Sequence, residues 1–165
     1  HQHYGRENMV RNNIFAFGRE SIARHSRIGG RDVPPYTERT YKAFVFERNI
    51  LVSDGQLLFV GGHLAPLARR NFLSDLNLLW DISRAPLSGD AVYDANRQVT
   101  CPNPLDISAW QALGQDTHSI VADPGFVDLE KRDFTLREDS PALALGFQPI
   151  DLSDVGPRPK DKRGG

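Results

Sequence analysis

The sequence has almost no cysteine, since Cys101 is the single thiol among 165 residues. One cysteine cannot close an internal disulfide, so the fold has to rely on packing and hydrogen bonding. Disulfide-free proteins occur both in reducing compartments and outside the cell, so this absence does not decide where the protein acts.

A surplus of charge of either sign is also lacking. Lysine and arginine together number 20 against 21 aspartates and glutamates, which leaves a formal net charge of -1 at pH 7. A global basic excess is the usual electrostatic footprint of nucleic-acid binding, so we expect no nucleic-acid partner. Apolar runs stay well below the ~20 residues that a membrane-spanning helix requires, so we also expect no membrane span.

Long helical periodicities are missing, and 14 glycines and 11 prolines interrupt the chain instead. This pattern argues against a helix bundle. A chain of this length can bury one core, so we expect one domain or part of one.

A short motif recurs along the chain and indicates a stacked structure. Asn13, Asn49 and Asn77 each precede an aliphatic run, and their separations are 36 and 28 residues. Such separations fall in the range of stacked-repeat folds, with the inequality assigned to loop insertions on one face. Asparagine tolerates the left-handed corner before a strand, and its amide can bond the same residue one layer away. We predict that the three asparagines form such a ladder.

The predicted stack is thin. With ~4.8 Å between paired strands, three layers reach only about 10–15 Å. An uncovered first layer would present unpaired strand edges, and three repeats are about the minimum for stability. The opening residues His1 to Tyr4 show neither an initiator methionine nor a signal peptide. We therefore expect upstream coils, or another chain, to cover the first layer.

The last part of the chain has the character of a closing module. From residue 118 to 150, brief apolar runs alternate with turn signals, which predicts short strands and tight corners. Ser140, Pro141 and Gly146 suit the N-cap, the first position and the end of a short helix.

A second short helix is predicted between the N-cap residue Asp106 and Gly114, with Trp110 in the core and the helix lidding one end of the stack. The predicted division is coils with loop insertions and this helix at 1–117, a closing module at 118–155 and a disordered tail at 156–165.

Several separated motifs together resemble one protein family. They are NNIFAFG (12–18), ERNIL (47–51), SDLNLLWD (74–81), SAWQALGQDTHSIVADPGFVD (108–128) and DFTLREDSPALALGF (133–147). In this order they resemble the C-terminal part of right-handed parallel β-helix proteins of the pectate-lyase-like superfamily. Within that superfamily, the opening HYGREN (3–8) most resembles bacterial glycoside hydrolase-like members.

The resemblance implies an all-β, right-handed parallel β-helix, or solenoid, with a C-terminal cap and one or two short helices. It implies a carbohydrate-active, secreted protein, extracellular or periplasmic, that needs no cofactor. Three functions stay open: the C-terminal portion of a glycoside hydrolase acting on a polysaccharide or oligosaccharide, a polysaccharide lyase acting on a uronate-containing glycan, and a non-catalytic surface or assembly module.

The candidate catalytic residues follow from what each reaction needs. A hydrolase needs two carboxyl groups across the glycosidic bond, which suggests Glu7 together with Asp75 or Asp81. A lyase needs a base and positive charge against the uronate, which suggests His3 with Tyr4 and Arg6. Each of these residues also has a purely structural interpretation as part of a polar corner.

The candidate substrate-binding residues are basic or aromatic. Arginines cluster near the start of the chain and suit an acidic or heavily hydroxylated glycan. Trp80 could stack on a sugar face, although an aromatic residue in a short strand is more often core. No third ligand accompanies His1 and His3 at metal-site spacing, so no metal is predicted. The full set is His1, Tyr4, Arg6, Arg24, Arg27 and Trp80; His118 and Asp116 are interpreted as structural.

Overall fold

The computed structural model describes residues 2–3, 8–26, 44–60, 72–93, 99–100 and 105–151. This part of the chain is mostly β-structure with short helices. The strands are β1 Gln2–His3, β2 Asn8–Arg11, β3 Ile14–Ala16, β4 Ser21–Ser26, β5 Phe44–Glu47, β6 Ile50–Ser53, β7 Leu57–Val60, β8 Phe72–Asp75, β9 Leu78–Asp81, β10 Ser88–Tyr93, β11 Val99–Thr100, β12 Leu105–Asp106, β13 Ile120–Val121, β14 Phe126–Asp128 and β15 Asp133–Leu136. The helices are α1 Ile107–Ala112 and α2 Pro141–Ala144.

Parallel pairing repeats along the chain with a period of three strands. β2, β5 and β8 form one parallel sheet, β3, β6 and β9 a second, and β1, β4, β7 and β10 run parallel in a third. The register is regular, because Ile14 pairs with Ile50 and Ile50 pairs with Leu78. We call β2–β4 layer one, β5–β7 layer two and β8–β10 layer three. β13 adds a further parallel strand to the second sheet, next to β9.

The corners between the first and second sheets use a left-handed residue, as predicted, but not the predicted one. Positive φ angles occur at Asn12, Arg48 and Leu76, with values of 58°, 51° and 57°. Each of these residues directly precedes a ladder asparagine, so the prediction that the ladder asparagines occupy the corner is wrong by one position. The preceding residue makes the turn, and the asparagine lies directly before the next strand, where its side chain bonds a neighbouring layer.

The predicted asparagine ladder is confirmed. The Nδ2 of Asn13 donates to Oδ1 of Asn49 at 3.1 Å, and the Nδ2 of Asn49 donates to Oδ1 of Asn77 at 3.2 Å. The same Oδ1 atoms accept the backbone N–H groups of Asn13 and Asn49. The asparagines thus hydrogen-bond the corner of each layer to the next.

Asp116 receives the far end of the ladder. Its buried Oδ1 accepts from Nδ2 of Asn77 at 2.8 Å and from Oγ of Ser119 at 2.6 Å, while Oδ2 accepts from Nε1 of Trp110 at 2.7 Å. Asp116 does lie in a turn, with a φ of 48°. Its carboxylate binds Ser119 within this turn and also serves the ladder and the indole, so Asp116 is structural, as the sequence indicates.

A first core lies among the three parallel sheets. Leu51 and Leu79 of the second sheet point into it and are almost fully buried. Stacked or edge-on aromatic pairs cross it in the order Phe15, Phe46, Phe59 and Trp110. Trp110 belongs to α1, and its predicted core position is confirmed. Asp106 caps this helix, accepting from the N–H of Ala109 at 2.7 Å, as the sequence predicts.

A second core lies on the other face of the second sheet. Ile50, Val52 and Leu78 alternate with the residues that point into the first core, and they are buried by the closing module. In that module, β14 pairs antiparallel with β15. The cap of α2 is confirmed, since Oγ of Ser140 accepts from the N–H of Ala142 at 3.3 Å. Phe147, beyond the helix, packs in the same cluster.

The closing module runs across the layers instead of only sealing their end. Its apolar side chains meet layer-one residues such as Ile14 as well as layer-three residues such as Leu78. Asn12 and Gln148 exchange two hydrogen bonds, at 2.9 and 2.6 Å, which join layer one to the last described segment. The predicted disordered tail, 156–165, lies outside the described residues.

Candidate functional site

A row of ionisable side chains runs across the ends of the first-sheet strands. Arg11 pairs in register with Glu47, and Glu47 pairs with Asp75. Register partners in parallel strands point to the same face, so the three side chains follow one another from layer to layer. His118, which hydrogen-bonds Asp75, extends the row. We call Arg11, Glu47, Asp75 and His118 the charged row.

Glu47 lies between two guanidinium groups. Its Oε1 accepts from Nε of Arg11 at 2.7 Å and from Nη1 of Arg48 at 2.8 Å, and Nη2 of Arg11 also contacts it. Charge-assisted bonds of this kind hold a carboxylate in place and confine the cations to one position. This end of the row therefore presents fixed positive and negative groups side by side.

Asp75 binds His118 through both of its oxygens. Oδ2 lies 2.7 Å from Nδ1 of the imidazole, and Oδ1 accepts the backbone N–H of His118 at 2.8 Å. Partial burial acts to raise the pKa of the Asp75 carboxyl, but the bonds from the His118 side chain, the His118 backbone and the Leu76 backbone together hold this pKa below 3.8. Asp75 is thus a carboxylate, not a proton donor, at neutral pH.

The Asp75–His118 pair leaves one ring nitrogen for chemistry. An ionised carboxylate only accepts hydrogen bonds, so Nδ1 of His118 carries the proton between them. In the neutral imidazole the basic atom is then Nε2. The His118 side chain is 72% exposed, whereas that of Asp75 is 21% exposed. A carboxylate that orients an accessible imidazole in this way is an arrangement suited to general acid–base catalysis.

Acidification is expected to remove the contribution of Asp75 to stability. The pKa of its carboxyl is lowered in the folded protein relative to 3.8. The contribution is therefore complete above the unfolded value and is lost as the pH falls through the folded one. In urea denaturation, Asp75→Asn should flatten the loss of unfolding free energy as the pH falls below 3.8. Asp139→Asn, at an exposed carboxylate, is the control, and identical curves for both variants would contradict this assignment.

Most of the predicted site residues cannot be placed together with this row. His1, Tyr4, Arg6, Glu7 and Arg27 lie outside the described residues. His3 and Arg24 lie in β1 and β4, which pair in parallel, but the structure describes only their backbone. Their assigned roles stay predictions. Of the predicted catalytic residues, Asp75 is the one whose side-chain contacts the structure describes, and its catalytic role also stays a prediction.

Trp80 and Asp81 follow one another in β9 and differ in environment. The Trp80 side chain is half-buried against the second core, and its role as a sugar platform stays a prediction. Asp81 accepts hydrogen bonds from Oγ of Ser53 at 2.7 Å, from the N–H of Gly55 at 2.8 Å and from the N–H of Ser83 at 2.9 Å. It ties two neighbouring turns together, so its oxygens are engaged in structure.

From sequence, Arg11 is only one of the clustered arginines, Glu47 has no assigned role and His118 is interpreted as structural, so their meeting in one row is not predicted. A usable signal exists for the first two, since Arg11, Glu47 and Asp75 each stand two residues before a ladder asparagine. These positions lie before the asparagine, outside the motif of an asparagine followed by an aliphatic run. His118 has no such spacing, because α1 is inserted between β10 and the return of the chain to the ladder at Asp116.

The side chains that the structure describes contain no group of three or more His, Cys, Asp or Glu that could hold a metal ion. Among the same residues, no helix is long and apolar enough to cross a membrane. In comparisons with protein-family models, curated proteins and solved structures, this chain has no match.

Proposed function

We propose that this chain is part of a right-handed parallel β-helix that cleaves glycans, as the C-terminal portion of a glycoside hydrolase. Three findings support the solenoid architecture: parallel pairing with a period of three strands, constant register between layers, and the asparagine ladder. The hand follows from the strong general preference for right-handed crossovers between parallel strands. Export to an extracellular or periplasmic location belongs to the same proposal.

The observation that carries the proposed activity is the Asp75–His118 pair. It supplies an accessible imidazole whose Nδ1 is held by an ionised carboxylate at 2.7 Å. In hydrolysis, Nε2 of His118 takes a proton from the water that attacks the anomeric carbon. The glycosidic C–O bond breaks, and its oxygen takes a proton from an acid, for which the candidate is Glu7, predicted from sequence as one carboxyl of a hydrolase pair. Asp75 positions His118 by holding its Nδ1 at 2.7 Å.

The arginines at the other end of the row favour elimination as a second candidate. Arg11 and Arg48 place cationic groups beside Glu47, one layer from Asp75. A lyase needs positive charge near the substrate carboxylate and a base that removes the proton next to it. The same row would then bind a uronate and deprotonate it through His118.

Product analysis of a panel of neutral and uronate-containing glycans separates these functions. New reducing ends without an unsaturated product indicate hydrolysis, whereas ultraviolet absorbance of an unsaturated uronate indicates elimination. Binding without turnover on any glycan indicates the non-catalytic module and contradicts the proposal. The protein should be assayed as the chain in hand and, in parallel, within any longer polypeptide that contains it.

On an active glycan, His118→Gln is expected to lower kcat by about 10²-fold or more, because it removes the proton-transfer group. Asp75→Asn should lower kcat as well, since an amide can donate to Nδ1 and so reverse the tautomer. Lys131→Gln, at an exposed pair with Asp128 in the closing module, is the matched control. Full turnover by His118→Gln would exclude the pair from catalysis.

A further inference from the structure

The segment 116–119, which carries His118, takes the place of a fourth layer at the end of the ladder. Oγ of Ser119 accepts the backbone N–H of Asn77 at 2.7 Å, as a ladder asparagine does between the earlier layers. The N–H of Ile120 donates to Asn77 O at 3.0 Å, which repeats the backbone bond between those layers. Ser119 thus stands at a ladder position, and the place of the His118 imidazole depends on how this segment is fastened to layer three.

One buried carboxylate, that of Asp116, fastens the segment. Asn77 and Ser119 donate to its Oδ1 at 2.8 and 2.6 Å, and the indole of Trp110 donates to its Oδ2 at 2.7 Å. Gln111, the next residue of α1, donates from Nε2 to the backbone O of Asp116 at 3.1 Å. A carboxylate removed from water keeps its place only while such donors surround it. The ladder and α1 therefore hold Asp116 between them.

Nδ1 of His118 has two competing partners. Oδ2 of Asp75 lies 2.7 Å from this nitrogen, and Oγ1 of Thr117 lies 3.3 Å from it. The carboxylate only accepts, so it requires Nδ1–H, whereas the threonine hydroxyl can also donate to an unprotonated Nδ1. The tautomer therefore depends on how closely the imidazole is held to Asp75. The backbone N–H of His118, bonded to Oδ1 of Asp75 at 2.8 Å, belongs to the segment that Asp116 fastens.

We propose that Asp116 is a positioning residue for His118. By fixing segment 116–119 against α1 and layer three, it holds Nδ1 of the imidazole at Asp75 and leaves Nε2 as the basic atom. Because Asp116 is buried, it acts through His118 and not on a substrate. The consequence for catalysis rests on the proposed function, whereas the tautomer of His118 is a property of the protein without substrate and is measured separately.

The nitrogen NMR spectrum of the imidazole rings, at a pH where they are neutral, tests this assignment. The unsubstituted protein should show His118 with a protonated Nδ1 and an unprotonated Nε2, and the His118→Gln spectrum identifies the signal. Asp116→Asn keeps the shape of the side chain but replaces one acceptor by an amide group that faces a donor. The ratio of the Nδ1–H form to the Nε2–H form should then fall about tenfold or more, because the bond to a charged acceptor is loosened. On a glycan that is cleaved, kcat should fall while KM stays unchanged.

Asp106→Ala is the structural control. It removes the N-cap of α1 and weakens that helix but leaves Asp116 with its donors, so the tautomer should not change. If Asp116→Asn fails to fold, Trp110→Phe decides, since it keeps a ring against Phe59, removes the donor to Oδ2 and should shift the tautomer in the same direction. An unchanged tautomer in the folded variant, or an equal change in Asp106→Ala, would overturn the inference. Absence of glycan cleavage together with the expected tautomer shift would instead overturn only the proposed function.

Discussion

Asn77→Leu is expected to lower the free energy of unfolding by about 3–5 kcal/mol. The Asn77 side chain is fully buried, and its Nδ2 donates to Phe46 O, to Oγ of Ser74 and to Oδ1 of Asp116. Leucine has nearly the same volume but no polar atoms, so these acceptors lose a donor where water cannot replace it. One of them is a carboxylate, which makes the loss larger.

Urea denaturation of the ladder series measures this effect. Asn49→Leu should cost nearly as much, since Asn49 is also buried and makes bonds to two layers. Asn13→Leu is the matched control, because Asn13 is half-buried at the end of the ladder, and a loss of about 1 kcal/mol is expected. Equal losses at Asn13 and Asn77 would show that burial does not set the energy of the ladder.

Phe147→Ala is expected to cost about 3–4 kcal/mol, the usual range for truncating a buried phenylalanine. Phe147 is 4% exposed and packs in the second core, and its backbone N–H donates to Ala142 O at 3.1 Å. The cavity would open between the closing module and the outer face of the second sheet, which holds Ile50 and Leu78. The module should therefore separate from the sheet before the layers unfold.

Hydrogen exchange distinguishes this local separation from global unfolding. In Phe147→Ala, protection should fall first in the closing module and in the N–H of Gln148, which donates to Oδ1 of Asn12 at 2.6 Å. Val127→Ala is the control, since Val127 is 55% exposed in the same module and should change stability by less than about 0.5 kcal/mol. A loss below about 1 kcal/mol in Phe147→Ala would contradict a structural role for this packing.

The ladder and both helix caps were predictable from sequence because their chemistry is local. An asparagine followed by an aliphatic run, or a serine followed by a proline, carries its hydrogen-bonding role in the residues themselves. Asn13, Asn49 and Asn77 accordingly lie in contact as predicted, and Asp106 and Ser140 cap their helices. The spacing of the asparagines also predicts the layers, because a recurring asparagine can bond its counterpart only where strands stack.

Of the two residues in the Asp75–His118 pair, only Asp75 was predictable from sequence as a candidate. Asp75 was identified as a carboxylate beside a ladder strand, but its partner is 43 residues away and returns to the site only after α1. A contact between residues so far apart in sequence depends on where the chain returns after the inserted helix α1. No local sequence pattern predicts that position. The positive φ angle of Arg48 was not predictable for a different reason. Arginine is not favoured at positive φ, so tertiary pairing overrides the local preference of the residue there.

The pair formed by Asn12 and Gln148 has a consequence for how the protein unfolds. Stacked repeats contact only their neighbours, so they tend to fray one repeat at a time from an end. Here two hydrogen bonds join residues 136 positions apart, and the second core spans every layer between them. Layer one therefore cannot unfold alone while the segment around Gln148 stays folded. The closing module thus joins the parallel layers into a single cooperative unit, at the cost of slow closure of a very long loop.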